Sequence, residues 1–161
     1  MAIGAPYKDN GNGPNEGAVY VFTLMGETWT YDKRLTTSDG ASGDKFGISV
    51  AISRYTLLVG ASYKDGHRGA AYVFVLEGDG SWDEGTKIVP VNGIASGDWF
   101  GRSVSLYDDR SLIGAVGSDE KGKRSSGAAQ LLRGLASSPP LREQSCSSFS
   151  ILKFSHRILE F

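Results

Sequence analysis

From Phe46 to Ser53 the chain alternates, with Phe46, Ile48, Val50 and Ile52 on one side and Gly47, Ser49, Ala51 and Ser53 on the other. A period of two predicts a strand with one large apolar face. After a short turn at Arg54-Tyr55, the run Thr56-Leu57-Leu58-Val59-Gly60-Ala61 is almost wholly apolar, which predicts a strand covered on both faces. Tyr63 to Arg68 is polar and carries Gly66, so it reads as a loop. Gly69 to Leu76, rich in Tyr, Val and Phe, predicts a third strand. Gly78-Asp79-Gly80-Ser81 predicts a tight turn, and Trp82 to Val91 a more polar edge strand with Pro90 near its end.

The same pattern recurs. Phe46-Gly47-Ile48-Ser49-Val50 returns 54 residues later as Phe100-Gly101-Arg102-Ser103-Val104. Gly4-Ala5-Pro6 returns as Gly60-Ala61-Ser62 and Gly114-Ala115-Val116. Gly17-Ala18-Val19-Tyr20-Val21-Phe22 returns as Gly69-Ala70-Ala71-Tyr72-Val73-Phe74 and fades at Gly127-Ala128-Ala129-Gln130-Leu131-Leu132. Trp29 and Trp82 lie 53 apart. Four short strands in meander order, repeated at a fixed period, predict all-β propeller blades, each a four-stranded antiparallel meander. The blades run over about 1–44, 45–98 and 99–132, an incomplete propeller of about 2.5–3 blades. The linkers match too, Ser42-Gly43-Asp44 against Ser96-Gly97-Asp98. A lone blade cannot bury its own apolar faces, so open blade edges are expected to drive self-association.

These residues carry a resemblance. Phe46-Gly47-x-Ser49-Val50-Ala51, Leu57-Leu58-Val59-Gly60-Ala61 and Gly69-Ala70-Ala71-Tyr72-Val73-Phe74 resemble the FG-GAP repeat, the blade unit of the integrin alpha-subunit β-propeller, and Gly4-Ala5-Pro6 holds its GAP element intact. The resemblance implies a seven-bladed parent protein, extracellular or on the cell surface, in which this chain is a non-enzymatic binding or adhesion module. The alternatives are an accessory propeller of a multidomain hydrolase, and a truncated gene model without independent function. The physical reading of the motif is structural. Gly4, Gly47, Gly60, Gly69, Gly101 and Gly114 permit close packing or positive φ. Phe22, Phe46, Phe74 and Phe100 wedge between neighbouring blades, and Ala5, Pro6, Ala61 and Tyr72 are further structural motif residues.

Composition narrows the partners. Seventeen basic and 18 acidic residues give a net charge of −1, which offers no basic field for nucleic acid. No apolar run approaches transmembrane length, so membrane insertion is not expected. Twenty-two glycines fit many tight turns, and the single cysteine, Cys146, excludes an intrachain disulfide. Met1 leads directly into Ala2-Ile3-Gly4, mid-repeat, with no secretory signal, which predicts an internal fragment of a longer propeller. After Leu132 the composition shifts to a serine- and proline-bearing tail, 133–161, expected to be poorly ordered. It reads either as a divergent segment or as a frame or splice error near Gln130. Its last eleven residues are compatible with a short amphipathic helix.

No acid, base and nucleophile cluster in the sequence, so catalytic residues are not expected and the chain reads as a non-enzyme. Some integrin-type blades hold calcium in an Asp-rich loop before the GAP strand. Here that place carries Ser53-Arg54-Tyr55-Thr56 and Tyr107-Asp108-Asp109-Arg110-Ser111. The resemblance is therefore to the non-calcium subtype, and no cofactor is expected. Asp9, Asn10 and Asn12, in the loop between the second and third strands of the first blade, are the remaining candidates for a low-affinity metal site. In integrin-like propellers the face holding these loops and the Ser-Gly-Asp linkers contacts ligand. The resemblance makes Tyr7, Asp9, Tyr63, Lys64, Asp65, His67 and Trp99 ligand-face candidates, for a protein or glycan.

Overall fold

The computed structural model describes residues 1–90, 95–118 and 127–134, and the backbone of Leu152–Lys153. It contains three antiparallel sheets. The first joins β1 (Ala2–Ala5), β2 (Ala18–Met25) and β3 (Thr28–Leu35). The second joins β4 (Ser49–Ser53), β5 (Thr56–Ala61), β6 (Ala70–Leu76) and β7 (Trp82–Ile88), with a four-residue turn, α1 (Lys64–His67), between β5 and β6. The third joins β8 (Phe100–Tyr107), β9 (Arg110–Ala115) and β10 (Ala128–Arg133), flanked by the two-residue β11 (Leu152–Lys153). Spatial order follows chain order in every sheet, the meander of a propeller blade.

Alternation along the central strands assigns side chains to two interfaces. Leu57, Val59, Tyr72, Phe74 and Trp82 of the second sheet pack against Val19, Val21 and Leu35 of the first. Leu58, Ala71, Val73 and Ile88, on the opposite face, pack against Phe100, Ile113, Ala115 and Leu132 of the third. Every residue of β5 is therefore buried. We call the face a sheet turns toward the preceding sheet its leading face and the other its trailing face. At about 1.5–3 kcal/mol per large apolar side chain, these two seams are the main source of stability.

Phe46 is the wedge of the first seam, with its ring centroid 5.6 Å from Tyr72 and 5.8 Å from Phe74. Its backbone forms a parallel bridge to Gly17, and Phe100 bridges Gly69 in the same way. A Cβ on Gly69 would lie 2.0 Å from the Phe100 carbonyl oxygen. Gly60 meets the next blade as closely, 2.0 Å from the Gly101 carbonyl oxygen, and Gly4 repeats this against Gly47 at 1.9 Å. The recurrent glycines are thus the points where one blade's backbone touches the next.

Two expectations need correction. The alternation from Phe46 to Ser53 is not one continuous strand. Gly47 has φ 87° and β4 starts only at Ser49, so Phe46 pairs sideways with Gly17 while Ile52 is exposed. A left-handed residue interrupts the pleat and turns the Phe ring into the seam. At the other end, Leu152–Lys153 pairs antiparallel with Gln130 and Leu131 rather than forming a helix. The ladder offers these two residues the hydrogen bonds a short isolated helix lacks. The remaining tail expectations lie outside the described residues.

Candidate functional site

The connections β1–β2, β3–β4, β5–β6 and β7–β8 share one rim and grip one another. Pro14, Asn15 and Glu16 offer backbone carbonyls to the amides of Gly43, Lys45 and Phe46 at 2.9, 3.1 and 2.9 Å. The next junction repeats this, with the His67 carbonyl accepting from Gly97 at 3.2 Å and Trp99 at 3.0 Å. The Ser96 hydroxyl donates to the Gly66 carbonyl. Each Ser-Gly-Asp linker closes its own turn, as Asp44 accepts from the Ala41 amide at 2.8 Å and Asp98 from the Ala95 amide at 2.7 Å.

The β5–β6 turn is held in an uncommon conformation. Asp65 and Gly66 have φ of 51° and 69°, and His67 follows at 69°. The two non-glycine residues there, Asp65 and His67, cost about 1–2 kcal/mol each, so the surroundings must enforce the turn. Lys64 does so from inside. Its ammonium is 2.7 Å from the Asp44 carboxylate and also donates to the Asp39 carbonyl, with the residue only 4% exposed. Lys64 was expected among the ligand-facing side chains, but it points inward because a carboxylate buried beside it needs a countercharge.

Around Lys64 lies a polar cluster across the first seam. Asp39 accepts from the Tyr72 hydroxyl at 2.8 Å and from Lys87 Nζ at 2.7 Å, and Lys87 also lies 3.6 Å from Asp65. Burial pushes the Asp39 carboxyl up, but the hydrogen bonds from Lys87 and Tyr72 and the charges of Lys64 and Lys87 outweigh it and hold the group below its ordinary value. Burial, then the hydrogen bond to Asp39, pushes the Tyr72 phenol far above its usual range. Tyr72 therefore stays a neutral donor.

On the outer side the rim carries a row of rings. Lys45 Nζ lies 3.6 Å from the Tyr63 ring centre and 5.1 Å from that of Tyr7. The Tyr63 and His67 rings meet edge to face at 4.8 Å. Trp99 leans on Gly117, where a Cβ would lie 3.0 Å from the indole. Tyr7, Lys45, Tyr63 and His67 thus form one row, and Trp99 follows on the same rim, its amide bonded to the His67 carbonyl; Tyr7 is 66% and Trp99 36% exposed. Lys45 escaped the sequence reading. Its signal was there, since Lys45 and Trp99 occupy one repeat position, each just before Phe-Gly and each with positive φ, 55° and 52°. A cation over exposed rings is worth about 0.5–1 kcal/mol, enough to set orientation but not to close the surface.

Asp9 and Asn12 are engaged within their own loop, whereas Asn10 donates through Nδ2 and keeps a buried Oδ1 without a hydrogen-bond partner. Asp9 accepts from the Asn15 amide at 2.8 Å, and Asn10 Nδ2 donates to the Gly17 carbonyl at 2.6 Å. Buried Glu16, absent from the sequence candidates, organises the loop by accepting from the Asn10 and Asn12 amides at 3.1 and 2.7 Å. On the opposite rim, Asp108 pairs with Arg54 at 3.2 Å and Asp109 lies 3.9 Å from Arg110. The β4–β5 turn itself has no carboxylate, so the donor set there does not fit a calcium loop. Among the described residues no three His, Cys, Asp or Glu side chains converge as metal ligands would.

Comparison with known proteins accords with this anatomy. Residues 29–74 and 82–132 match the FG-GAP repeat family, more than half of the chain. The chain is also similar to human (Homo sapiens) integrin alpha-11, 33% identical over 81 residues, which cover 46% of this chain and 7% of that protein. With its family pattern, its repeated Phe-Gly wedges and its meander sheets, the chain belongs to the FG-GAP repeat family.

Proposed function

We propose that this chain is a non-enzymatic recognition module of adhesion type, acting in an extracellular or cell-surface protein. The band Tyr7, Lys45, Tyr63, His67 and Trp99 contacts a protein or glycan ligand. The carrying observation is that each blade junction delivers ring or cation side chains to the same rim, so a row of contacts grows with the repeat. Aromatic anchors with a nearby cation are the residue types that dominate recognition energetics. Similarity to integrin alpha-11 supports the adhesion setting. The reading needs no cofactor, since the carboxylates of the rim are committed to Lys64, Lys87 and backbone amides.

The test is binding of the chain to an array of extracellular proteins and glycans. Trp99→Ala and Tyr7→Ala should each lower the affinity of any ligand found by about tenfold. Tyr107→Ala, on the opposite rim and 80% exposed, should leave it unchanged. Equal binding by all three variants, or loss only with Tyr107→Ala, would sink the assignment.

A further inference from the structure

Lys45 and Trp99 fill one repeat position, and the backbone holds them alike. The Lys45 amide donates to the Asn15 carbonyl at 3.1 Å, and the Lys45 carbonyl accepts from the Ile48 amide at 3.1 Å. The Trp99 amide donates to the His67 carbonyl at 3.0 Å, and the Trp99 carbonyl accepts from the Arg102 amide at 3.1 Å. Each junction therefore presents one side chain at the rim, and only its chemistry varies: a cation at the first junction, an indole at the second. Tyr7, Tyr63 and Gly117 likewise share a repeat position, two residues beyond Ala5, Ala61 and Ala115. Two tyrosines flank the cation, and a glycine makes room for the indole.

Lys45 is half-buried and uncommitted. Among the described residues, no carboxylate oxygen lies within ion-pair distance of its Nζ. The neighbouring carboxylates are held elsewhere, Asp44 by Lys64 at 2.7 Å, Asp39 by Lys87 at 2.7 Å and Asp9 by the Asn15 amide at 2.8 Å. The ammonium rests instead over the rings of Tyr63 and Tyr7. A ring face attracts a cation but does not use up its N–H donors, which stay open to an incoming acceptor. The acceptor that complements an ammonium best is a carboxylate, whose charge-assisted bond is about twice as strong as a neutral one. Tyr63 already meets Lys45 and His67, and Trp99 already leans on Gly117, which favours the side chains of a protein segment over a sugar stacked flat on a free ring.

Resting on the recognition role given to this rim above, we propose that its ligand is an acidic protein segment: a carboxylate side chain of the ligand pairs with Lys45 between Tyr7 and Tyr63, and an apolar side chain of the same segment packs on Trp99. The cation selects the sign of the ligand, and the indole selects its apolar neighbour.

The experiment pans a randomised peptide display library on the full chain, then measures the enriched sequences as fluorescein-labelled synthetic peptides by fluorescence anisotropy. Enriched peptides should carry Asp or Glu close to an aromatic or aliphatic residue. Lys45→Met keeps the apolar stem without the charge and should weaken them about fivefold, whereas Lys45→Arg should retain most of the affinity. Lys8→Met removes the same charge from an exposed place on the same rim and should change nothing. Panning on Lys45→Glu should enrich Lys or Arg instead, an inversion that a merely structural Lys45 would not produce. Trp99→Ala should lose the apolar preference and keep the acidic one. Peptides that need Tyr7 and Trp99 but show no acidic preference overturn the proposal and leave the recognition role standing, as do glycans that bind the rim where no peptide does. Peptide binding indifferent to Tyr7→Ala, Lys45→Met and Trp99→Ala overturns both. The absence of any enriched peptide also overturns the proposal, and the wild-type selection decides the sign even where a variant fails to fold.

Discussion

Gly60 and Gly78 show what a single residue contributes here. Gly60 lies under the backbone of the next blade, and an added Cβ would fall 2.0 Å from the Gly101 carbonyl oxygen and 2.3 Å from Ser49 Oγ. Backbone cannot swing aside as a side chain can, so a methyl group must part the two sheets. Gly60→Ala should cost about 1–3 kcal/mol or more, as overpacking of a tight contact does. Gly78, in the β6–β7 turn, has nothing within 4 Å of its Cβ position, and Gly78→Ala should stay within about 0.5 kcal/mol. Urea denaturation of the two variants checks this; equal losses would mean that the repeat glycines serve the strand and not the seam. Phe46 belongs to the same scale. Its ring is buried among Tyr72 and Phe74, and Phe46→Ala should cost about 3–5 kcal/mol by the same assay.

At the scale of elements, the β3–β4 linker is tied to the second sheet through Asp39, which reaches Tyr72 on β6 and Lys87 on β7. The folded Asp39 carboxyl titrates below its ordinary 3.8, so its contribution is complete above that value and is lost as pH falls through the lowered folded value. The stability gap between wild type and Asp39→Asn should therefore be constant at neutral and mildly acid pH and should narrow below about 3.8. The Asp39 side chain is 40% exposed, so solvent screening keeps the gap modest. Urea midpoints measured down the acid limb check this, and a gap that widens there would contradict the network.

The whole molecule is a row of sheets whose middle member is covered on both sides. Opening it exposes two seams, whereas opening the first or third sheet exposes one. Amide exchange should accordingly be slowest in β5 and β6 and faster in β3, where all but Leu35 are exposed. Exchange mass spectrometry tests the order. Uniform protection across the three sheets would show that they unfold as one unit.

Much of this was legible in the sequence. Strand β5 was readable as Thr56–Ala61 because continuous apolarity reports burial on both faces, and the 54-residue recurrence of Phe-Gly exposed the blade plan. The ring candidates Tyr7, Tyr63 and Trp99 were visible because the repeat copies their loops. The fate of polar residues was not legible. Lys64 and Lys87 are both lysines near an aspartate, yet one is sealed beside Asp44 and the other is half-open to solvent. Lys45 joined the band only because Tyr7 and Tyr63, 56 residues apart in sequence, come to lie on either side of it. Periodicity alone thus determined the strands, the blade repeat and which faces are apolar, since those follow from local spacing. The pairing of charges and the left-handed turn at Asp65–His67 were decided by tertiary structure, because each depends on what the neighbouring blade brings against it.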